Sequence, residues 1–166
     1  MRGEEWRPVV GFEGSYEVSN LGRVRSLDRL DARGNQIRGR VLRLAAQRSG
    51  HLHLGLWADG KERRTFVHRL VLAAFVGPRP VGAEALHGNG RPDDNRVENL
   101  RWGTPSENQL DSVAHGTHRS ARKTHCKSGH AFSAENTYIH RGRRQCRACH
   151  REGDQIAARL RGATRG

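Results

Sequence analysis

The chain has 166 residues, enough for one medium domain or for several small modules, each with a small core. Its 30 lysine and arginine residues outnumber 17 aspartate and glutamate residues, and the formal net charge is +13. This balance favours a polyanionic partner, although the plainer alternative is that the charge only keeps the chain soluble. No apolar run of membrane length and no amphipathic basic helix appears, so we exclude a membrane and expect nucleic acid.

The cysteines and the N-terminal composition bear on the cellular compartment. Residues 1–6 contain no apolar signal core, which predicts a cytoplasmic protein with reduced thiols. The three cysteines all follow residue 125. An odd number in one short segment argues against a disulfide framework and favours a metal site that a histidine completes.

Composition divides the chain into three predicted parts. Residues 1–64 are rich in glycine and in short alternating runs, residues 65–118 are the most apolar, and residues 119–166 are strongly basic. We predict an α+β protein with a small N-terminal antiparallel β-sheet, a central core and a C-terminal zinc-knuckle module. In the first part, β-forming runs bounded by turn residues predict strands at 16–18, 23–26, 41–44, 51–56 and 63–66.

The central part begins with a predicted helix over 67–76. Leu70, Val71, Ala74 and Phe75 form its apolar stripe, and a Gly-Pro pair ends it.

A strand, a polar loop and a second strand follow at 85–87, 88–96 and 100–102. Thr104, Pro105 and Glu107 then have the spacing of a capping box with proline at the first helical position. We therefore predict a second helix that runs to about residue 114.

Three stretches of this sequence resemble a known family. GFEGSYEVSNLGRVRSL, residues 11–27, is similar to the short N-terminal motif of phage and intron-borne HNH homing endonucleases. VHRLVLAAFVG at 67–77 and LHGNGRPDDNRVENLRWGTPSENQ at 86–109 resemble the HNH nuclease core of the same group. The resemblance implies a ββα-metal fold, in which a β-hairpin and a helix hold one divalent metal, and the hydrolysis of phosphodiester bonds in DNA.

The resemblance also implies roles for three residues. His87 matches the general base, and an imidazole suits proton abstraction near neutral pH. Asn99 matches the asparagine that braces the hairpin, and Asn108 matches the metal ligand on the helix. A neutral oxygen ligand suits Mg²⁺ or Mn²⁺ better than Zn²⁺.

One position departs from the family pattern. Relatives have a metal-binding aspartate or histidine immediately before the base histidine, whereas this chain has Leu86. We expect another side chain to supply the ligand, in the order of preference Asp111, His118, His115. The alternative is an inactive HNH fold that only binds DNA, with a regulatory or phage DNA-packaging role.

Four neighbouring residues have more ordinary interpretations. Asn95 is expected to cap its turn rather than to bind metal. His68 is expected to anchor the hairpin loop by a hydrogen bond, and Trp102 to be part of the core. Arg69 has two equal interpretations, a phosphate clamp and a surface salt bridge.

The cysteine spacing predicts a second metal site. Cys126 and His130 form a C-x3-H pair, Cys146 and Cys149 form a C-x2-C pair, and fifteen residues separate the pairs. Two such pairs can hold a structural Zn²⁺ tetrahedrally. Three other histidines lie nearby in sequence as alternatives for the fourth ligand: His125, His140 and His150. A helix is predicted from about 147 towards 161.

Arginines are the expected DNA contacts. A β-ribbon can enter the major groove, and basic side chains elsewhere contact phosphates. The candidates for binding double-stranded DNA are Arg23, Arg25, Arg29, Arg69, Arg143 and Arg144. One metal site cuts one strand, so we expect a monomer that nicks DNA, with a dimer as the alternative. By the resemblance, we expect a phage-encoded protein in the bacterial cytoplasm.

Overall fold

The computed structural model describes residues 3–30 and 33–163, with backbone only for 162 and 163. The chain divides into two compact units, Met1–His115 and Gly116–Gly166. No helix within the described ranges is long and apolar enough to cross a membrane. Small antiparallel sheets and helices make up both units, so the predicted α+β class is confirmed.

The first unit begins with a three-stranded antiparallel sheet. Its strands, in spatial order, are β1 (Trp6–Pro8), β2 (Tyr16–Ser19) and β3 (Val24–Ser26). Strand β1 was not predicted, because its three residues are too few to show alternation. The β2–β3 turn requires glycine at position 22. Gly22 has φ +81°, and a Cβ there would lie 2.7 Å from the Cβ of Asn95.

A short hairpin and a second three-stranded sheet follow. The hairpin strands are β4 (Arg29–Leu30) and β5 (Gln36–Ile37), and the sheet strands are β6 (Ala45–Ala46), β7 (Leu52–Ala58) and β8 (Lys61–Phe66). The prediction of a strand over 41–44 is wrong. In that stretch Val41 forms only an isolated bridge with Arg25, and pairing resumes at Ala45. The predicted alternation in β7 is confirmed, since Leu54 and Leu56 are buried.

Helix α1 (Val67–Phe75) is the centre of the first unit. Leu70 and Val71 are buried as predicted, and Leu72 is fully buried as well. The buried face is wider than the predicted stripe because strands of both sheets and the following hairpin all contact this helix. The N–H groups of Val76 and Gly77 both donate to the carbonyl of Leu72, which ends the helix where the Gly-Pro pair predicted.

A hairpin and a helix complete the first unit. They consist of β9 (Glu84–His87), β10 (Leu100–Gly103) and α2 (Pro105–Ala114). The predicted capping box is present: Thr104 Oγ1 accepts from the Glu107 N–H at 3.2 Å, and Glu107 Oε2 accepts from the Thr104 N–H at 2.6 Å. The hairpin register places Leu100 opposite His87 and Arg101 opposite Leu86.

One hydrophobic core joins the two three-stranded sheets, helix α1 and the β9–β10 hairpin. Its buried members come from β2, β3, β7, α1 and β10, and so from both the first and the second predicted parts of the chain. Trp102 packs against this core, as expected, and its Nε1 donates to the carbonyl of Gly77 at 3.1 Å. The largest fully buried side chains are Leu56, Leu72, Leu86, Val9, Val18, Val24, Val67 and Val71.

The second unit has little apolar interior. Strands β11 (Thr137–His140) and β12 (Arg143–Cys146) form a hairpin, and helix α3 (Arg147–Ala163) follows. Arg141 and Gly142 have positive φ values of 49° and 72°, as a tight two-residue hairpin turn requires. Among the described side chains of this unit, Cys146 is the one that is buried. Hydrophobic packing alone is therefore a weak source of stability here.

We expect Leu72→Ala to lower the free energy of unfolding of the first unit by about 2–5 kcal/mol, because it leaves a cavity in a fully buried position. The measurement is urea unfolding followed by tryptophan fluorescence, since Trp6, Trp57 and Trp102 all lie in this unit. Leu110→Ala, on the exposed side of α2, is the matched control and should change stability by about 0.5 kcal/mol or less. Equal losses in both variants would contradict this assignment of the core.

Candidate functional site

Three histidine rings meet at the end of β9. His87 comes from that strand, His68 from α1, and His51 from the residue before β7. Their ring centroids are 5.2 Å apart for His68 and His87, 5.3 Å for His51 and His68, and 5.5 Å for His51 and His87. We call these residues the histidine cluster. Sequence reasoning did not include His51, because its place beside His87 arises only when the sheet packs on α1.

His68 is the most buried ring of the histidine cluster. Its ring stacks on Phe66 with an interplanar angle of 11°, and its buried Nδ1 has no hydrogen-bond partner among the described residues. Burial lowers the pKa of His68 to about 3, with further contributions from His87, His51 and Arg69. His68 is therefore neutral near pH 7. Among the described residues, the His68 side chain makes contacts with other rings and does not form the expected hydrogen bond to the hairpin loop.

His87 is held with one ring nitrogen committed to a neighbour. Its Nε2 lies 3.4 Å from Asn95 Oδ1, while Asn95 Nδ2 donates to the carbonyl of Asp93 at 3.1 Å. Since the amide presents its oxygen to His87, Nε2 must carry the proton and Nδ1 keeps a lone pair. Asn95 is 2% exposed, and this contact with the candidate base goes beyond the turn-capping role expected for it.

Burial lowers the pKa of His87 from its ordinary value. The Asn95 hydrogen bond opposes this shift, the neighbouring His51 adds to it, and the carboxylates of Asp94 and Asp93 oppose it. The net direction is downward, so the imidazole is predominantly neutral near pH 7 and can accept a proton.

Asn99 connects both sides of the hairpin loop. Its Oδ1 accepts from the N–H of Asn89 at 3.0 Å, and its Nδ2 donates to the carbonyl of Asp94 at 2.8 Å. Its own carbonyl accepts from the N–H of Gly88 at 2.8 Å. This geometry restrains the loop that follows His87.

The helix side of the hairpin contains Asn108, whose Nδ2 donates to Glu84 Oε2 at 2.7 Å. Leu86 is 1% exposed. Asp111, the preferred substitute ligand, is in a salt bridge with Arg101 at 2.6 Å.

The two histidines considered as substitute ligands have other contacts. His115 Nε2 lies 2.9 Å from the carbonyl of Gly88. His118 belongs to the second unit, where its Nδ1 accepts from the N–H of Ala121 at 3.2 Å.

A cavity of about 280 Å³ adjoins the histidine cluster. It is lined by charged, aromatic and small side chains: His51, Phe66, His68, Arg69, Arg79, Glu84, Ala85 and Trp102. Arg69 lies over the ring of Phe66 at 5.3 Å. This position is close to the histidine cluster, as a phosphate-contacting arginine would require.

The three N-terminal arginines expected to bind DNA also have intramolecular partners. Arg23 pairs with Glu4. Arg25 Nε donates to Glu17 Oε2 at 2.8 Å, and Arg29 lies 5.3 Å from the centre of the Tyr16 ring. Arg23 is nonetheless exposed just before β3, and Arg25 on β3 and Arg29 on β4 are partly exposed.

The two candidates in the second unit differ. Arg143 is exposed on β12, whereas Arg144 donates to the carbonyls of Ser120 and Lys123, both at 2.7 Å. Arg144 therefore holds the start of its own module together.

The predicted zinc ligands converge in the second unit. The four candidate ligand atoms of Cys126, His130, Cys146 and Cys149 all lie within 4.8 Å of one another. The Cys126 and Cys149 sulfurs are 3.5 Å apart, and His130 Nδ1 lies 3.6 Å and 3.4 Å from them. Three thiols and one imidazole are the donor set that tetrahedral zinc prefers.

The surroundings of this Cys₃His cluster favour metal binding. His130 Nε2 is 3.1 Å from Glu152 Oε1, and a carboxylate on the second ring nitrogen is a frequent partner of a metal-bound histidine. Asn136 Nδ2 lies 3.3 Å from the sulfur of Cys146. A hydrogen bond from the backbone of Cys149 is the main cause that lowers the pKa of Cys146 to about 6, which favours the thiolate.

Two regions of the chain match known protein families. The NUMOD4 motif matches residues 4–57, and the HNH endonuclease family matches residues 65–110. A NUMOD4 motif and an HNH endonuclease domain are therefore present in this chain, a combination consistent with the phage and homing type of HNH endonuclease.

Individual relatives can be named. The chain is 34% identical over 113 residues to DNA endonuclease I-HmuI of Bacillus phage SP01, a match covering 68% of this chain and 60% of that protein. It is 33% identical over 121 residues to the uncharacterized HNH endonuclease L247 of Acanthamoeba polyphaga mimivirus, covering 68% of this chain and 27% of that protein. The chain thus spans about three fifths of the first relative's length.

A solved structure of DNA binding and cleavage by the HNH homing endonuclease I-HmuI resembles this fold. The TM-score is 0.59 at 31% sequence identity, and the match covers 71% of this chain and 63% of that one.

We expect His87 to titrate below the ordinary histidine pKa of about 6.5 because of its burial. Two variants should move its pKa in opposite directions. His51→Gln removes a repulsive neighbour and should raise it, whereas Asn95→Ala removes a hydrogen bond and should lower it. The measurement is an NMR pH titration of the ring carbon–proton signals, with His87→Gln used to assign the resonance. Shifts of the same sign in both variants would contradict the geometry described for His87.

Proposed function

We propose that this protein is a metal-dependent DNA endonuclease that nicks double-stranded DNA, with His87 as the general base. The observation that carries this proposal is the state of His87. Burial lowers its pKa and so favours the neutral ring, and Nε2 faces Asn95 Oδ1 at 3.4 Å, which leaves the lone pair of Nδ1 available. A water molecule beside Nδ1 would lose its proton to this nitrogen as it attacks the phosphorus in line.

The surrounding residues support such a step by holding His87 and its loop. Asn99 restrains the loop on both sides of the hairpin, so the base keeps its position relative to the DNA backbone. His51 and His68 pack against the ring of His87 and limit its rotation. The bond that breaks is between the phosphorus and the 3′-oxygen, and a 5′-phosphate end results.

Asn108 is proposed as one ligand of the divalent metal that this reaction requires. An amide oxygen is a hard donor, which fits Mg²⁺ or Mn²⁺. When bound, the ion would supply Lewis acidity to the phosphate and neutralise charge on the departing 3′-oxygen.

Double-stranded DNA is the proposed substrate and partner. The net charge of +13 favours a polyanion, and the relative I-HmuI, whose solved structure is similar, binds and cleaves DNA. We propose that Arg23, Arg25, Arg29, Arg69 and Arg143 contact DNA while the chain acts as a monomer. We further propose that it acts in the bacterial cytoplasm.

A second candidate function is DNA binding without cleavage. One observation favours it: Leu86 is fully buried where relatives are expected to have a metal ligand. Under this alternative, the protein binds DNA through the same surfaces, and His87→Ala changes neither binding nor any product.

We also propose that the Cys₃His cluster binds a structural Zn²⁺. Four protein ligands leave no open coordination position, so the ion would serve folding rather than catalysis. The unit has one buried side chain among those described, and its stability would depend on this ion.

We expect the purified protein to nick supercoiled plasmid DNA in Mg²⁺ or Mn²⁺, and His87→Ala to reduce the rate by about 10²–10⁴-fold, because the base is lost. His140→Ala, an exposed histidine of the second unit, is the matched control and should cut normally. The rate should fall as the pH decreases through the lowered pKa of His87, since the protonated ring cannot act as a base, and should be pH-independent above it. Binding without cleavage in every divalent metal tested would favour the second candidate function instead.

We expect metal analysis of protein purified without added metal to find about one zinc per chain. His130→Ala and the double variant Cys146→Ser/Cys149→Ser should lose the zinc and the folding of the second unit, measured by circular dichroism. His125→Ala and His150→Ala should retain it, because neither residue belongs to the cluster. Zinc retained by the double cysteine variant would refute the assignment.

A further inference from the structure

The position of Leu86 indicates that the metal ligand expected there is elsewhere. Its side chain is 1% exposed and lies over the backbone of Gly103, where an added Cβ would be 3.0 Å from Leu86 Cδ2. The buried side chain of Leu86 is therefore apolar and offers no ligand atom to a metal. Under the proposed function, a second ligand would have to come from another residue on the side of the hairpin that faces α2.

Glu84 is on that side. Side chains two residues apart on a strand project from the same face, so Glu84 shares the face of Leu86. The register places Gly103 opposite Glu84, and the space where a Gly103 side chain would lie is taken up by Leu86 and the Glu107 carboxylate. The Glu84 carboxylate instead meets helix α2, where its Oε2 accepts a hydrogen bond from Asn108 Nδ2 at 2.7 Å.

We infer that Glu84 and Asn108 together hold the divalent metal, with Glu84 replacing the ligand that Leu86 cannot supply. This inference rests on the proposed nuclease function and names a ligand of its metal. Rotating the Asn108 amide by half a turn would present Oδ1 instead of Nδ2. One carboxylate and one amide oxygen are a sufficient protein contribution for Mg²⁺, which keeps several waters and binds substrate phosphate.

Other carboxylates near the hairpin are engaged in other contacts. Asp111 is paired with Arg101, and Asp94 with Arg96. Glu107 accepts from Thr104 in the capping box, and its carboxylate serves the helix start. Glu84 instead contacts a neutral amide, so a cation would not have to displace an arginine from it.

Glu84 is also connected to the histidine cluster. It lines the same cavity as His51 and His68, the two rings that contact His87. Glu84 is half-buried and Asn108 is exposed, so an ion and a DNA phosphate can both reach this pair from solvent. The inferred ligand therefore lines a cavity that it shares with two rings in contact with the proposed base.

The first test measures Mn²⁺ binding to the zinc-loaded full chain by electron paramagnetic resonance of free Mn²⁺. Glu84→Gln keeps the shape of the side chain and an acceptor for Asn108, but removes the charge. It should weaken Mn²⁺ binding by about tenfold or more. Glu98→Gln, a carboxylate on the same hairpin that pairs with Arg96, is the matched control and should bind Mn²⁺ like the wild type.

The second test exchanges the charges of the pair. Asn108→Asp adds a carboxylate and should tighten Mn²⁺ binding, and the double variant Glu84→Gln/Asn108→Asp should bind close to the wild type. Tryptophan fluorescence, which includes Trp102 on β10, verifies that each variant is folded. A double variant that binds as weakly as Glu84→Gln alone would overturn the inference, because the two residues would then not share an ion.

The outcomes separate this inference from the proposed function. If Glu84→Gln loses Mn²⁺ binding while the wild type binds Mn²⁺ but never cuts DNA, Glu84 is supported as a ligand and the nuclease proposal is overturned. Unchanged Mn²⁺ binding and unchanged Mn²⁺-dependent cleavage in Glu84→Gln overturn the ligand and leave the nuclease proposal intact.

Discussion

The first unit depends on one small hydrophobic core arranged around helix α1. Strands from two separate sheets and the β9–β10 hairpin all bury side chains against this helix. The three rings of the histidine cluster come from elements that meet only through this core. Packing at Leu56, Val71 and Leu72 therefore determines the distances between His51, His68 and His87, and with them the burial that lowers the pKa of His87.

The second unit follows a different physical rule. Among its described side chains, Cys146 is the one that is buried. Many of its side-chain contacts involve the four candidate zinc ligands and the groups hydrogen-bonded to them. Asn136 contacts the sulfur of Cys146, and its side-chain oxygen also accepts from the N–H of Ala148, so the hairpin is tied to the start of α3. With the proposed Zn²⁺ bound, such a module could present a basic surface without a large apolar interior.

The proposed active site has contrasting environments on the two faces of β9. His87 projects towards His51 and the buried His68, where burial favours the neutral imidazole. Glu84 and Leu86 project towards α2, where Glu84 is partly accessible to solvent and Leu86 is buried. The alternation of a β-strand thus places a base on one side and an oxygen ligand on the other, although the two residues are close in sequence.

Local patterns predicted much of the secondary structure. The capping box at Thr104, the alternation in β7 and the helix over 67–76 depend on neighbouring residues, and all three are confirmed. Such patterns did not predict strand β1 or the bridge at Val41. Their pairing partners are distant in sequence, and short segments carry too few residues for a periodic signal.

The sequence by itself determined the family resemblance, the candidate base His87 and the spacing of the four candidate zinc ligands, because these features depend on residue type and short separation. Tertiary structure decided which side chains surround them. His51 reaches His87 only across the core, Asn95 becomes buried only against Gly22, and Glu84 meets Asn108 only after the helix packs on the hairpin. Such contacts join residues far apart along the chain, and their formation depends on the free energy of packing rather than on any local motif.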